Sequence, residues 1–215
     1  MAELILVRHG QANAAARSED EYDRLSEIGR LQGRWLGEWL SETGADFDRV
    51  LSGTLVRHRH TADEMRVTPE ADARWNELAY HDLAAAFAEE SGVAAPFGSA
   101  DFSDFFASMM AAWAAGGLKG APETYASFRD RVRGAVDDAQ AAGGRTLVVT
   151  SGGVIGQMVA RVMDLDVEKT AHLTLGVGNT TMQRLIWTGR RWSLLEFGAA
   201  PHLAPAERAH ARTFV

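Results

Sequence analysis

A chain of 215 residues, 46% hydrophobic and 24% charged, is long enough for one domain with a substantial core. A formal net charge of −7 and a pI near 5.5 argue against nucleic acid or an anionic membrane as partner. Cysteine is absent, which excludes disulfides, thiolate metal sites and cysteine nucleophiles while leaving the redox compartment open.

The first predicted element is a strand over Glu3 to Val7, buried on both faces to judge by its lack of alternation. The start MAELILVRH is too short in its apolar run, and too acidic at Glu3, for a signal peptide, so the expectation is a cytoplasmic protein. Arg17 to Arg24 reads as a polar loop. Ser26 to Thr43 places Ile28, Leu31, Trp35, Leu36, Trp39 and Leu40 at helical spacing, with Ser26 as cap and Gly44 as stop. Phe47 to Leu51 is a second strand and Thr54 to Met65 a second helix.

From Leu78 to Ala121 the chain is rich in Ala, Phe and Met and punctuated by Gly92, Pro96, Gly98, Gly116 and Gly117. That composition predicts short helices inserted as a cap. Its most apolar run, FFASMMAAWAAGG, is too short to span a bilayer. A helix over Glu123 to Ala142 ends at Gly143 and Gly144, a strand over Thr146 to Thr150 follows, and then a helix over Val154 to Met163. The stretch TTMQRLIWTGRRWSLLEFG predicts a hairpin turning at Thr188 and Gly189. The last fifteen residues read as a surface tail.

Strands alternating with long helices imply a single three-layer α/β/α sandwich with a mostly parallel sheet. Ligands of such sheets bind beyond the carboxyl ends of the strands. Three of these ends are polar here: Val7 runs into Arg8 and His9, Leu51 into Ser52, and Thr150 into Ser151.

LVRHGQAN, Leu6 to Asn13, is the most informative segment. Arg8 offers a fork of donors matched to phosphate. Gly10 permits close backbone approach or a positive φ, and His9 can then face a bound anion. A surface basic pair is the plainer alternative. In LSGTLVRHRHTAD, Arg57 falls in the first turn of its helix, with Ser52 or Thr54 as cap. An arginine there opposes the helix dipole unless both point at a shared anion; otherwise Arg57, His58, Arg59 and His60 form a solvated face. TLVVTSGGVIG offers Ser151, but Val149 stands where a nucleophile elbow needs glycine, and no G-K-[ST] follows as in a P-loop.

Taken together, LVRHG, S-x-x-L-x-R-x-x-x-T-A from Ser52, WNEL and VVTSGG resemble the histidine phosphatase superfamily, the phosphoglycerate mutase-like group. The continuation of RHG into Gln11 and Ala12, with YDRLSEIG and FGAAPHL, resembles a bacterial subgroup. The resemblance implies His9 as nucleophile, Arg8 and Arg57 as clamps on the phosphoryl oxygens, and Glu77 as general acid and base, with His81 and Asp82 as competitors. Asn13 matches a phosphate-pocket position, and Gln11 stands where many members carry Glu. Ser151 stands where most members place a second histidine, a loss worth ~10²–10³ in rate if nothing replaces it. The Ser151 hydroxyl can also donate to the phosphoryl group, as part of the phosphate pocket, but it is shorter than an imidazole and cannot be positively charged. Backbone N–H groups at Gly152 and Gly153, or His58 or His60 turning in, are the candidate compensations.

The implied activity is hydrolysis of a small phosphomonoester through phosphohistidine, with no metal and no cofactor. The alternatives are mutase-type phosphoryl transfer and a catalytically weak phospholigand-binding protein. The hairpin edge could support a homodimer. His172, His202 and His210 read as surface residues, and Trp35, Trp39, Trp113, Trp187 and Trp192 as core or interface.

Overall fold

The computed structural model describes residues 1–13, 19–96 and 101–214. Six strands form one sheet in the order β3-β2-β4-β1-β5-β6: β1 (Ala2–Arg8), β2 (Arg49–Ser52), β3 (Glu70–Ala71), β4 (Gly144–Thr150), β5 (Met182–Trp187) and β6 (Trp192–Ala199). The first four run parallel to one another; β5 is antiparallel to β1, and β5 and β6 form the expected hairpin.

Alternation along β1 divides the core. Leu4 and Leu6 join one apolar cluster with Phe128, Ile155 and Met158, while Ile5 and Val7 join a second with Leu36, Leu40 and Ala62. The second cluster seats α2 (Glu27–Glu42) and α3 (Val56–Glu64); the first seats α6 (Tyr125–Ala142) and α7 (Gly152–Met163). The sheet is therefore the middle of three layers, since a strand buried on both faces needs a helix layer on each.

The segment predicted as an insertion carries α4 (Tyr80–Ser91) and α5 (Phe102–Ala114). Phe87, Phe105, Met109 and Trp113 of these helices lie in the same buried cluster as Leu4.

Several elements differ from the sequence expectation. The polar loop contains α1 (Glu19–Tyr22), and α8 (Val167–Leu175) follows α7 without having been anticipated. Asp166 caps α8 by accepting from Lys169 N, a signal available in the sequence. The final segment is no loose tail. It forms 3₁₀ turns over Pro201–Leu203 and Ala206–Ala211, with Leu203 and Ala211 buried. His202 is buried too, its Nε2 2.9 Å from Thr180 Oγ1.

Candidate active site

The register of the sheet assembles the site. Arg8 pairs with Thr150 and Ser52 with Val149, so the polar residues that end β1, β2 and β4 meet on one rim. His9 and Ser151 are the next residues along two adjacent parallel strands, and His9 N–H donates to Thr150 O at 2.9 Å.

Gly10 answers its two expected roles with close approach. A Cβ there would come 2.3 Å from Gly29 O of α2, so only glycine lets the turn cross the helix at this distance. Thr61 Oγ1 of α3 accepts from Gly10 N at 3.0 Å, and Asn179 Nδ2 donates to His9 O at 3.0 Å. Asn179 is itself bound by Thr213 Oγ1, which accepts from Gln32 Nε2, while Gln32 Oε1 accepts from Gln11 N. The His9–Gln11 turn is thus held from α2, α3, the segment before β5 and the C-terminal residues.

His9 is buried, and its Nδ1 lies 2.8 Å from Gly10 O. A carbonyl only accepts, so Nδ1 carries the proton and Nε2 keeps its lone pair. Burial holds the imidazole well below its ordinary pKa, aided by Arg57, Arg8 and His58. The ring is therefore neutral and nucleophilic.

Arg8 is buried, with Nη1 donating to Val177 O and Nε lacking a partner among the described residues. A buried guanidinium N–H without an acceptor fits an anion that the protein does not itself supply. Arg57 is the second residue of α3 and is also buried.

The expected caps of α3 are corrected. Its cap position is Leu55, which contributes no side-chain bond. Thr54 instead exchanges hydrogen bonds with Asn76, and Ser52 Oγ has no partner among the described residues. Asp23, from the polar loop, reaches in: its carboxylate accepts from Val56 N at 2.8 Å, Arg57 N at 3.0 Å and Arg57 Nη1 at 3.2 Å. The anion shared by helix dipole and arginine is therefore supplied by the chain itself. Tyr22 lies with its ring centroid 5.0 Å from Arg57 Cζ, and edge-on to His9 at 6.3 Å.

Glu77 is partly buried, and its carboxyl accepts from Gly153 N at 3.0 and 3.1 Å and from Leu78 N at 3.0 Å. Burial raises its pKa, opposed by those N–H groups and by Arg57 and Arg8. The segment bearing it is anchored by Thr150 Oγ1, which donates to Trp75 O, and by Arg131 Nη1, which donates to Asn76 O. Of its two competitors, Asp82 is exposed, and the His81 ring lies against Tyr22 and Tyr80. Because Gly153 N–H is committed to Glu77, it does not replace the missing imidazole.

Asn13 is exposed, with its N–H donating to Arg24 O. Gln11 Oε1 makes a neutral contact, accepting from Ser26 Oγ. Ser151 is fully buried and next to Gly152 at the start of α7. Of the supposed wet face of α3, Arg57 and His58 are buried while Arg59 is exposed. His58 Nε2 lies 2.6 Å from Ser151 Oγ, with its ring centroid 5.7 Å from that of His9.

A family model, Histidine phosphatase superfamily (branch 1), matches residues 4–200. The chain belongs to the histidine phosphatase superfamily. Among curated members, the mitochondrial serine/threonine-protein phosphatase Pgam5 of Drosophila ananassae is 43% identical over 60 residues, 28% of this chain and 20% of that protein. The match thus spans about a fifth of that relative's length. Among solved structures, a phosphoserine phosphatase from Entamoeba histolytica, in complex with phosphoserine, superposes with a TM-score of 0.68 at 18% identity, covering 94% of this chain and 100% of that one. The phosphoglycerate mutase of Bacillus anthracis gives 0.67 at 22% identity, covering 94% and 95%. At such identities the likeness is one of fold.

Asp23, Tyr22, Thr61, Asn179 and Arg131 were not foreseen as parts of the site. Thr61 had a signal, as the threonine of the T-A pair; the others act across sequence separations no local pattern reports.

Proposed function

We propose that the protein hydrolyses a small phosphomonoester through a phosphohistidine on His9, with no metal ion. The observation that carries this reading is the tautomer of His9. With Nδ1 tied to Gly10 O, the free lone pair sits on Nε2, in a ring whose titration feels two buried guanidinium groups suited to a phosphoryl dianion. Nε2 attacks phosphorus, the bond to the leaving oxygen breaks, and that oxygen takes the electron pair and the proton of Glu77. The ionised Glu77 then removes a proton from water as its oxygen attacks phosphorus. The P–N bond breaks, its electron pair returns to Nε2, and orthophosphate leaves. Arg8 and Arg57 stabilise the charge on the transferring oxygens in both halves.

A screen of phosphorylated metabolites in the presence of chelator, with His9→Ala as control, tests this. Acid-labile phosphoprotein trapped on the wild type and absent from His9→Ala is the expected result. Equal phosphate release by both proteins would overturn the reading.

A further inference from the structure

Two polar side chains next to His9 have no part in those steps. His58 and Ser151 are both fully buried and face each other at 2.6 Å, with the His58 ring centroid 5.7 Å from that of His9 and Ser151 following Thr150, the register partner of Arg8. Burying an imidazole and a hydroxyl together is costly unless each proton has an acceptor.

The proton positions follow by elimination. Ser151 begins α7 but its side chain caps no backbone N–H, and His58 is its partner among the described residues. His58 Nδ1 is buried without a partner among the described residues, pressed against Gly53, where a Cβ would stand 2.2 Å from it. A proton on Nδ1 would leave a buried N–H orphaned, which is rarer than an under-used acceptor. The proton therefore sits on Nε2, and His58 donates to Ser151 Oγ. The serine keeps its own hydroxyl proton, for which no acceptor among the described residues is available. That proton is left for a ligand the protein does not itself supply.

We propose that His58 and Ser151 form a two-residue donor to the phosphoryl group: His58 fixes Ser151 Oγ, and Ser151 O–H donates to a phosphoryl oxygen. Ser151 then touches the substrate and His58 is a positioning residue acting through it. The inference rests on the phosphatase reading above. Burial and Arg57 keep His58 neutral, so it contributes a dipole and adds no third positive charge. The same pair could be mistaken for a nucleophile and its base. A base in that role is oriented by a third group on its other nitrogen, and Nδ1 of His58 has none among the described residues.

The test uses p-nitrophenyl phosphate turnover and inhibition by inorganic vanadate, in wild type, Ser151→Ala, His58→Ala and the double variant. Ser151→Ala should lower kcat by ~10²–10³, the loss typical of one preorganised donor. Its inhibition constant for vanadate should rise by a similar factor, and its melting temperature should fall because the buried His58 Nε2–H loses its acceptor. The double variant should lose no more than Ser151→Ala alone, within threefold, because the two act in series. Turnover by Ser151→Ala within threefold of wild type would sink the proposal, as would losses that multiply in the double variant, or an acid-stable phosphoserine at Ser151. Should His58→Ala fail to fold, the Ser151→Ala comparison decides alone. If the wild type turns over no phosphomonoester, the phosphatase reading fails separately. Calorimetry with inorganic phosphate then decides: tenfold weaker binding by Ser151→Ala sustains the donor, and equal binding overturns it.

Discussion

His9 and Glu77 are pushed in opposite directions by the same burial, and the result is a working pH range. Desolvation penalises the charged form of either group, so the imidazole is held below its usual pKa and the carboxyl above its own. The proposed mechanism needs His9 neutral and Glu77 protonated. The acid limb of kcat/KM should therefore lie below the ~6.5 of an ordinary histidine, and the basic limb above the ordinary carboxyl range of ~4.3. Glu77→Gln should remove the basic limb and lower kcat by ~10²–10⁴, the usual contribution of a positioned proton donor. A substrate with a leaving group that needs no proton, such as p-nitrophenolate, should lose less than an alkyl phosphate. Equal losses for the two substrates would mean that Glu77 does not protonate the leaving oxygen.

At the scale of elements, the N-terminus of α3 shows what local sequence could and could not convey. The helix was legible from its residues, and so was the place of Arg57 in its first turn. Its cap was not, because Asp23 lies more than thirty residues upstream and reaches α3 only once α1 is folded over the rim. Likewise the hairpin and parallel strands were readable from apolar runs and turns, while two-residue β3 and nine-residue α8 fell below any periodic signal. Asp23→Ala should remove three acceptor contacts at once. A lost helix cap costs ~0.5–2 kcal/mol, and releasing Arg57 from its carboxylate would loosen the proposed phosphate clamp. The expected outcome is a lower urea midpoint together with a KM raised several-fold. Asp23→Asn should keep part of the cap while losing the charge, so it should recover stability more than KM. A variant with unchanged KM would show that Asp23 serves the helix alone.

For the whole molecule, burial settles what residue type left open. Histidine patterning could not distinguish His202, in the supposed tail, from the exposed His172 and His210, because its burial depends on the 3₁₀ turns folding back toward Thr180. Thr180 Oγ1 donates to Asn179 O, so His202 Nε2 must be the donor between them, and a neutral imidazole satisfies that bond. Burial pushes its pKa down to about 4, with Arg208 assisting. In the unfolded chain the same group titrates near ~6.5. Between those values the unfolded state takes up a proton that the folded state refuses, so stability falls as pH falls. The contribution of His202 is complete above pH ~6.5, is lost on the way to pH ~4, and is on the order of 3 kcal/mol. Buried neutral His9 and His58 tilt the curve the same way. Urea midpoints should thus drop steeply from pH 7 to 4.5 in the wild type. His202→Asn, which retains an N–H for Thr180 but cannot titrate, should start lower at pH 7 and close most of the gap by pH 4.5. If the two proteins instead keep a constant difference across that range, His202 is not a source of the acid sensitivity.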